Sequence, residues 1–213
     1  GGGLRALNQM LARMQDALEA RRGEFGRDRF PIGPLAGCIR VRRESAMSAV
    51  SECLGGVGGT WLVRGQAEHD KCISILRAAG GDQFCRQFRS AYINPDIFEP
   101  ARWSDVNEPC VLDMVEVDSA LGDEAKRYVV NFLVDRCRAN EVHIFDTYEH
   151  AIQFLRMPDK RVRLDNGVTI TLKKQAYVPR ENRNLSMKNW SEVSLYLPDR
   201  KAFLLAQRNS AAA

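Results

Sequence analysis

Three histidines, no Cys-x-x-Cys pair and no Gly-Lys pair occur in the 213 residues, and each scarcity removes a class of chemistry. Without Gly-Lys there is no Walker-type loop to cradle a phosphate. Without closely paired cysteines there is no zinc ribbon or redox dithiol. Cys38, Cys53, Cys72, Cys85, Cys110 and Cys137 stand singly in apolar segments and read as buried thiols in a reducing compartment. No apolar run approaches the roughly 18 residues of a membrane span, and no secretory signal is seen, so the expectation is a soluble intracellular protein with no membrane contact. His69 and Cys72 share a helix face, as do Asp146 and His150, but neither half-site meets a second pair at ligand spacing, which favours plain surface or partly buried roles. No Gly-x-Ser-x-Gly turn presents a nucleophile. The sequence offers no convincing active site, and neither a metal nor another cofactor is expected.

What is present is a globular composition, with 45% hydrophobic and 27% charged residues, enough to bury the core of one domain or two small lobes. The net charge of +4 is unevenly spread. Residues 98–125 carry eight acids against Arg102 alone, whereas residues 156–201 carry eleven bases against five acids. Such asymmetry suits a polyanion-binding face, although a solvated surface is the commoner explanation. Gly1–Gly3 and Ala211–Ala213 read as appended ends around a piece of a longer chain.

Leu4, Leu7, Leu11, Met14 and Leu18 recur at alternating steps of three and four, the a/d seam of a coiled coil. The same spacing also suits an amphipathic helix packed on its own domain. As a coil, the seam is expected to meet a helix returning from the C-terminal side, with the lobes folding without residues 1–22. Gly23, Gly26, Pro31 and Pro34 then end the helix. Strands are predicted at Cys38–Arg42, Thr60–Val63, Ala91–Ile93, Cys110–Val117 and Val142–Phe145. Helices are predicted around Met47, Val50 and Leu54, around Cys72, Ile73, Leu76 and Ala79, around Ala125–Cys137, and over Thr147–Leu155. Gly55 and Gly80 sit where helix caps belong. Asp165-Asn166-Gly167 between Arg161–Leu164 and Val168–Leu172 is a strong hairpin signal, because Asn-Gly accepts positive φ cheaply. Lys174–Val178 adds a further strand. The pattern is mixed α/β: two small lobes preceded by a coiled-coil helix, with segments 1–28, 29–108 and 109–209.

Two constellations remain. The run Gly55-Gly56-Val57-Gly58-Gly59 follows a helix and precedes a strand, the reverse of a dinucleotide loop. It suits close backbone contact with another subunit, or a plain cap and turn. Lys173, Lys174, Tyr177, Arg180, Arg183 and Lys188, with Trp190 and Tyr196 nearby, combine phosphate-pairing cations with flat rings on which unpaired bases stack. Arg40, Arg42 and Arg43 form a second basic cluster. A solvated basic surface with Trp190 and Tyr196 in the core is the bland alternative.

The segment Arg29-Phe30-Pro31-Ile32-Gly33-Pro34-Leu35-Ala36-Gly37-Cys38-Ile39 resembles the start of the hinge domain of SMC (structural maintenance of chromosomes) proteins, that of the sixth subunit above all. Ala46–Gly56 resembles the first hinge helix, Pro109–Ala120 the start of the second lobe, Val142–Phe145 with Glu149-His150-Ala151 its strand and helix, and Arg161–Gly167 the hairpin that hinges share. The resemblance spans residues 29–178. Arg163 departs from a common threonine, and the later glycines of homodimeric bacterial hinges are missing, which fits a heterodimeric member better. The resemblance implies a non-enzymatic hinge that pairs through its lobe edges with a partner hinge, that of the fifth SMC subunit, with the ATPase heads lying elsewhere in the parent protein. Gly55, Gly56, Gly58, Gly59, Asn166 and Gly167 would lie near the contact. It further implies DNA binding with single strands favoured, in a nuclear, chromosome-associated protein of DNA repair and recombination. A hinge that only dimerises, and an unrelated two-lobed α/β enzyme, are the competing readings.

Overall fold

The computed structural model describes residues 2–43, 46–80, 88–102, 106–147, 149–151 and 153, and the strands Arg161–Arg163, Thr169–Thr171 and Gln175–Tyr177. For residues 2–8, 47, 48, 52 and those three strands the description is of the backbone. Helix α1 (Gly2–Ala20) passes through a short 3-10 turn (Arg22–Glu24) into the proline-rich run before helix α2 (Leu35–Cys38) and strand β1 (Ile39–Val41). Helix α3 (Met47–Leu54), a 3-10 turn (Gly55–Gly59), β2 (Thr60–Val63), α4 (Gln66–Gly80) and β3 (Arg89–Tyr92) complete the first half. The second half runs α5 (Val111–Met114), β4 (Val115–Val117), α6 (Asp123–Cys137), β5 (Val142–Ile144), β6 (Arg161–Arg163), β7 (Thr169–Thr171) and β8 (Gln175–Tyr177).

The halves repeat one plan. Each opens with a four-residue helix that runs straight into a three-residue strand, followed by a helix and then a strand paired parallel with a later one. Strand β2 lies between an antiparallel bridge at Ile32 and its parallel partner β3. Strand β5 lies between an antiparallel bridge at Cys110 and its parallel partner β8. The halves meet where β1 and β4 pair antiparallel, Ile39 opposite Val117, Arg40 opposite Glu116 and Val41 opposite Val115. One hydrophobic core crosses this join, with Leu35, Ile39, Val50, Leu54 and Leu62 packed together with Val111, Val115, Val129, Leu133 and Val142. Residues on both sides of the expected division at 108 therefore share an interior.

Gly33 fits its site for a steric reason. A Cβ there would lie 2.8 Å from the Thr60 carbonyl oxygen and from the Trp61 ring, and its φ of +156° disfavours other residues. The missing side chain lets the Pro31–Pro34 run lie against β2, where Ile32 and Leu62 exchange backbone hydrogen bonds of 2.9 and 2.8 Å. Gly55 adopts φ +53° at the end of α3, the left-handed cap that glycine supplies without strain.

A second core forms under α1. Met10, Leu11, Met14 and Leu18 are buried with Trp61, Val63, Cys72, Ile75 and Leu76, as α1 packs along α4. Gln15 is also covered and accepts a 2.9 Å hydrogen bond from the Trp61 indole N–H. This corrects the reading of Leu11, Met14 and Leu18 as a coiled-coil seam awaiting a returning helix: their cover is α4 of the same chain. The side chains of Leu4 and Leu7 lie outside the described residues. The strand expected over Cys110–Val117 is also corrected, since its first part is the helical turn α5. There Asp113 accepts from the Cys110 backbone N–H at 2.9 Å, and the Cys110 side chain completes a capping box. Elsewhere β2, α3, α4, α6 and the β6–β7 pairing fall where the sequence places them, while the Asn166-Gly167 turn itself lies outside the described residues.

Because α1 supplies core, removing residues 1–22 is expected to abolish cooperative folding of the first half, against the independence expected from sequence. Leu11→Ala should cost about 2–5 kcal/mol. Urea unfolding followed by circular dichroism measures both; a truncated chain with an undiminished transition would return α1 to the role of detachable coil.

Candidate interaction surfaces

Two strand edges stand open. Among the described residues, nothing pairs with β3 on the side away from β2, or with β8 on the side away from β5. The Ile93 N–H donates to the Val63 carbonyl, so by strand alternation Ala91 also faces β2, and the N–H groups of Ser90 and Tyr92 face outward. Unpaired edges of this kind are templates for another chain. Ser90 and Tyr92 also support side-chain contacts: Ser90 Oγ meets His69 Nδ1, and the Tyr92 hydroxyl donates to Gln66 Oε1. His69 thus serves the β3–α4 junction, whereas Cys72 points into the core beneath α4. The two do not converge as a half metal site.

The glycine run divides in two. Gly55 and Gly56 are half-buried, Gly55 with open space where a Cβ would stand and Gly56 with only the Arg89 guanidinium within 4 Å of that position. Gly58 and Gly59 are buried inside their own chain, so an approaching subunit has Gly55 and Gly56 to meet. Of the second basic cluster, Arg40, Arg42 and Arg43 are all exposed. Arg40 is ion-paired with Glu116 across β1–β4, and that hydrogen bond raises its pKa. Tyr177 lies in β8, parallel with Ile144 of β5. Lys173, Lys174, Arg180, Arg183, Lys188, Asn166 and Gly167 lie outside the described residues.

A polar cluster at the α5–β4 corner has no signature in the sequence. Arg102 pairs with Asp113 at 2.8 Å, Asp113 accepts from the Cys110 thiol at 3.1 Å, and His143 contacts the Glu108 carbonyl oxygen at 2.9 Å. Cys110 and His143 are bridge partners on neighbouring segments. Burial pushes the Cys110 thiol up to about 11, away from the thiolate that nucleophilic chemistry needs. Cys72 and Cys137 are likewise pushed up by burial, to about 12 and about 11. These thiols are packing groups.

No protein-family model matches the sequence, and no curated protein matches it. Similarity appears among solved structures. The hinge domain of S. pombe Smc5/6 superposes with a TM-score of 0.53 at 15% identity, covering 71% of this chain and 53% of that one. The Pyrococcus furiosus Smc hinge domain with an extended coiled coil gives 0.45 at 15% identity, covering 97% and 70%. An asymmetric dimer of the Geobacillus stearothermophilus SMC hinge domain gives 0.42 at 17% identity, covering 99% and 87%. This chain spans about half the length of the S. pombe chain. The chain has the SMC hinge fold: mixed helix and strand in small sheets.

His143 yields a pH test. Burial disfavours its imidazolium and lowers its pKa, partly opposed by the Glu108 carbonyl and the Asp113 charge. The unfolded chain therefore takes up this proton first, and the stability present above the ordinary histidine value is lost as pH falls below it. Glu141 is pushed up by burial, with Arg138 opposing. Its sign is opposite: the folded state protonates first, so its contribution is full at low pH and lost as pH rises through the folded value. Urea midpoints measured from about pH 7 to about pH 5 should fall less steeply in His143→Gln than in the unmodified chain. Equal slopes would mean that His143 titrates as freely folded as unfolded.

Proposed function

We propose that this chain is the dimerising hinge of an SMC protein, non-enzymatic in itself, which pairs edge to edge with a second SMC hinge. The observation that carries the reading is the pair of open edges, β3 and β8, at corresponding places in the two halves of a hinge fold. Two such molecules can each offer the first-half edge to the other's second-half edge, which closes a pair rather than growing a filament. The finer reading names the chain as a sixth-subunit hinge and its partner as the fifth-subunit hinge, in a nuclear, chromosome-associated complex of DNA repair and recombination. The quoted sequence resemblance and the likeness to the S. pombe Smc5/6 hinge support it.

Co-purification with the fifth-subunit hinge, followed by mass measurement, tests the pairing. Ser90→Pro removes an outward N–H while leaving the β2–β3 ladder intact, and Gly56→Arg places a guanidinium on the glycine turn. Each should weaken pairing about tenfold or more with an unchanged circular-dichroism spectrum. Full-strength pairing by both variants would take the contact away from this edge.

DNA contact belongs to the same reading. Lys173, Lys174, Arg180, Arg183 and Lys188 would pair phosphates, and Tyr177 would stack a base, which favours single strands. Arg42 and Arg43 can join them, and Arg40 only at the expense of its pairing with Glu116. Reversing Lys173 and Lys174 to Glu should lower affinity for every oligonucleotide alike and flatten its salt dependence, by about one to two units of log–log slope. Fluorescence anisotropy at two salt concentrations, on the chain and on its pair, is the measurement. An unaltered titration would move the contact toward Arg42 and Arg43, and no binding by either form would leave a hinge that only dimerises.

A further inference from the structure

The segment after β3 combines ordered backbone with apolar side chains left in water. Asn131 is 2% exposed, and its amide donates to the carbonyls of Asn94 and Asp96, each at 2.9 Å. Asn94 in turn donates to Asp135 at 2.7 Å, and the Asp96 N–H donates to the Asn94 side-chain oxygen at 3.0 Å. Further along, Asn140, also buried, donates to the Ala101 carbonyl at 2.9 Å. Two interior asparagines of the second half thus hold both ends of the strap Asn94–Ala101, and Pro95 and Pro100 restrict it further. Between the pins, Ile97 is 84% exposed and Phe98 38%. With Tyr92, they are the large hydrophobic side chains standing exposed among the described residues.

Tyr92 is occupied by Gln66 and by the ring of His69, 5.7 Å away, but among the described residues no such partner is found for Ile97. Buried amides spent on fixing an apolar segment in solvent make sense where another surface covers it, because preorganisation lowers the entropy lost on docking. The strap leaves directly from β3, so a chain seated on the open β3 edge reaches it next. Asp96 and Glu99 flank Ile97 and Phe98 with exposed carboxylates, so the surface they fit is apolar at its centre and cationic at its rim.

We infer that the strap Asn94–Ala101 is a second seat for the partner hinge, with Ile97 as its apolar anchor and Asp96 and Glu99 facing lysine or arginine on that partner. The inference rests on the hinge-pairing reading and extends it from the β3 edge to the segment beyond.

The test uses the complete chain and the fifth-subunit hinge, with Kd from titration calorimetry and a thermal melt of each variant alone. Ile97→Asp should weaken pairing about tenfold or more, as loss of a central anchor does. Glu99→Lys should weaken it about two- to fivefold, an effect that shrinks with added salt. Both should melt with the unmodified chain, because neither side chain is buried. Unchanged affinity in Ile97→Asp, with pairing intact, overturns the seat and leaves the hinge reading standing. Absence of pairing by the unmodified chain overturns both. A lowered melting temperature in Ile97→Asp would show that the strap serves its own fold. Loss of self-association with pairing to the fifth-subunit hinge preserved would name a second copy of this chain as the occupant. Either of these last two results overturns the seat as stated.

Discussion

The architecture depends on the short antiparallel join of β1 and β4. Three residues from each half meet there, and Ile39 and Val115 carry the join into the common core. The Arg40–Glu116 pair at its centre is exposed, and exposed ion pairs are worth little, about 0–1 kcal/mol. It fixes register more than it stabilises. Burial does the holding: each fully covered Val, Leu or Ile in that core contributes about 1.5–3 kcal/mol. Once β1 and β4 are joined, each half's remaining row runs from an antiparallel bridge through its central strand to an outer parallel strand. That order leaves β3 and β8, rather than β2 and β5, as the edges.

How much of this could be read from the chain differs from element to element. Thr60–Val63 was legible because all four residues are buried and β-prone, so composition and environment agree. Cys110–Val117 was not. Its apolar residues fit a buried strand as well as a buried helical turn, and the cap that decides the matter uses Cys110 and Asp113 instead of the usual Ser-x-x-Glu pair. Helix α6 ends on Arg138 at φ +53°, a left-handed cap without the glycine that would have announced it. For α1 the spacing was right and the partner was not. A seam of leucines and methionines specifies an apolar cover, and α4 and a returning coil present the same kind of surface.

The interaction surfaces were harder to read than the core for a related reason. Whether a strand is an edge follows from pairing between distant segments, and Arg89–Tyr92 looks the same in sequence either way. Asn131 and Asn140 were equally silent, since an asparagine's side chain reveals its role only when the carbonyls it holds are known. Basic clusters were visible at once, but composition does not distinguish Arg40, whose charge is engaged by Glu116 across the join, from Arg42 and Arg43 nearby. Several buried polar residues brace backbone: Asn131, Asn140 and His143 each contact main-chain carbonyls of distant segments.

The bracing extends to the segment that joins α1 to α2. Arg64, just past β2, donates to the Asp28 carbonyl at 2.8 Å, to the Tyr128 hydroxyl at 3.2 Å and to Glu124 at 3.0 Å. One side chain therefore touches the turn after α1 and helix α6 of the second half. Nearby, Arg29 pairs with Glu68 of α4, and the Arg22 guanidinium lies 3.7 Å from the centre of the Phe30 ring. These contacts lie at or near the surface, where ion pairs are separately weak. The larger restraint is below them: swinging α1 away from α4 would return Leu11, Met14 and Leu18 to water, at about 1.5–3 kcal/mol for each. The direction of this helix is consequently set by the first-half core, while Arg64 relates it to the second half.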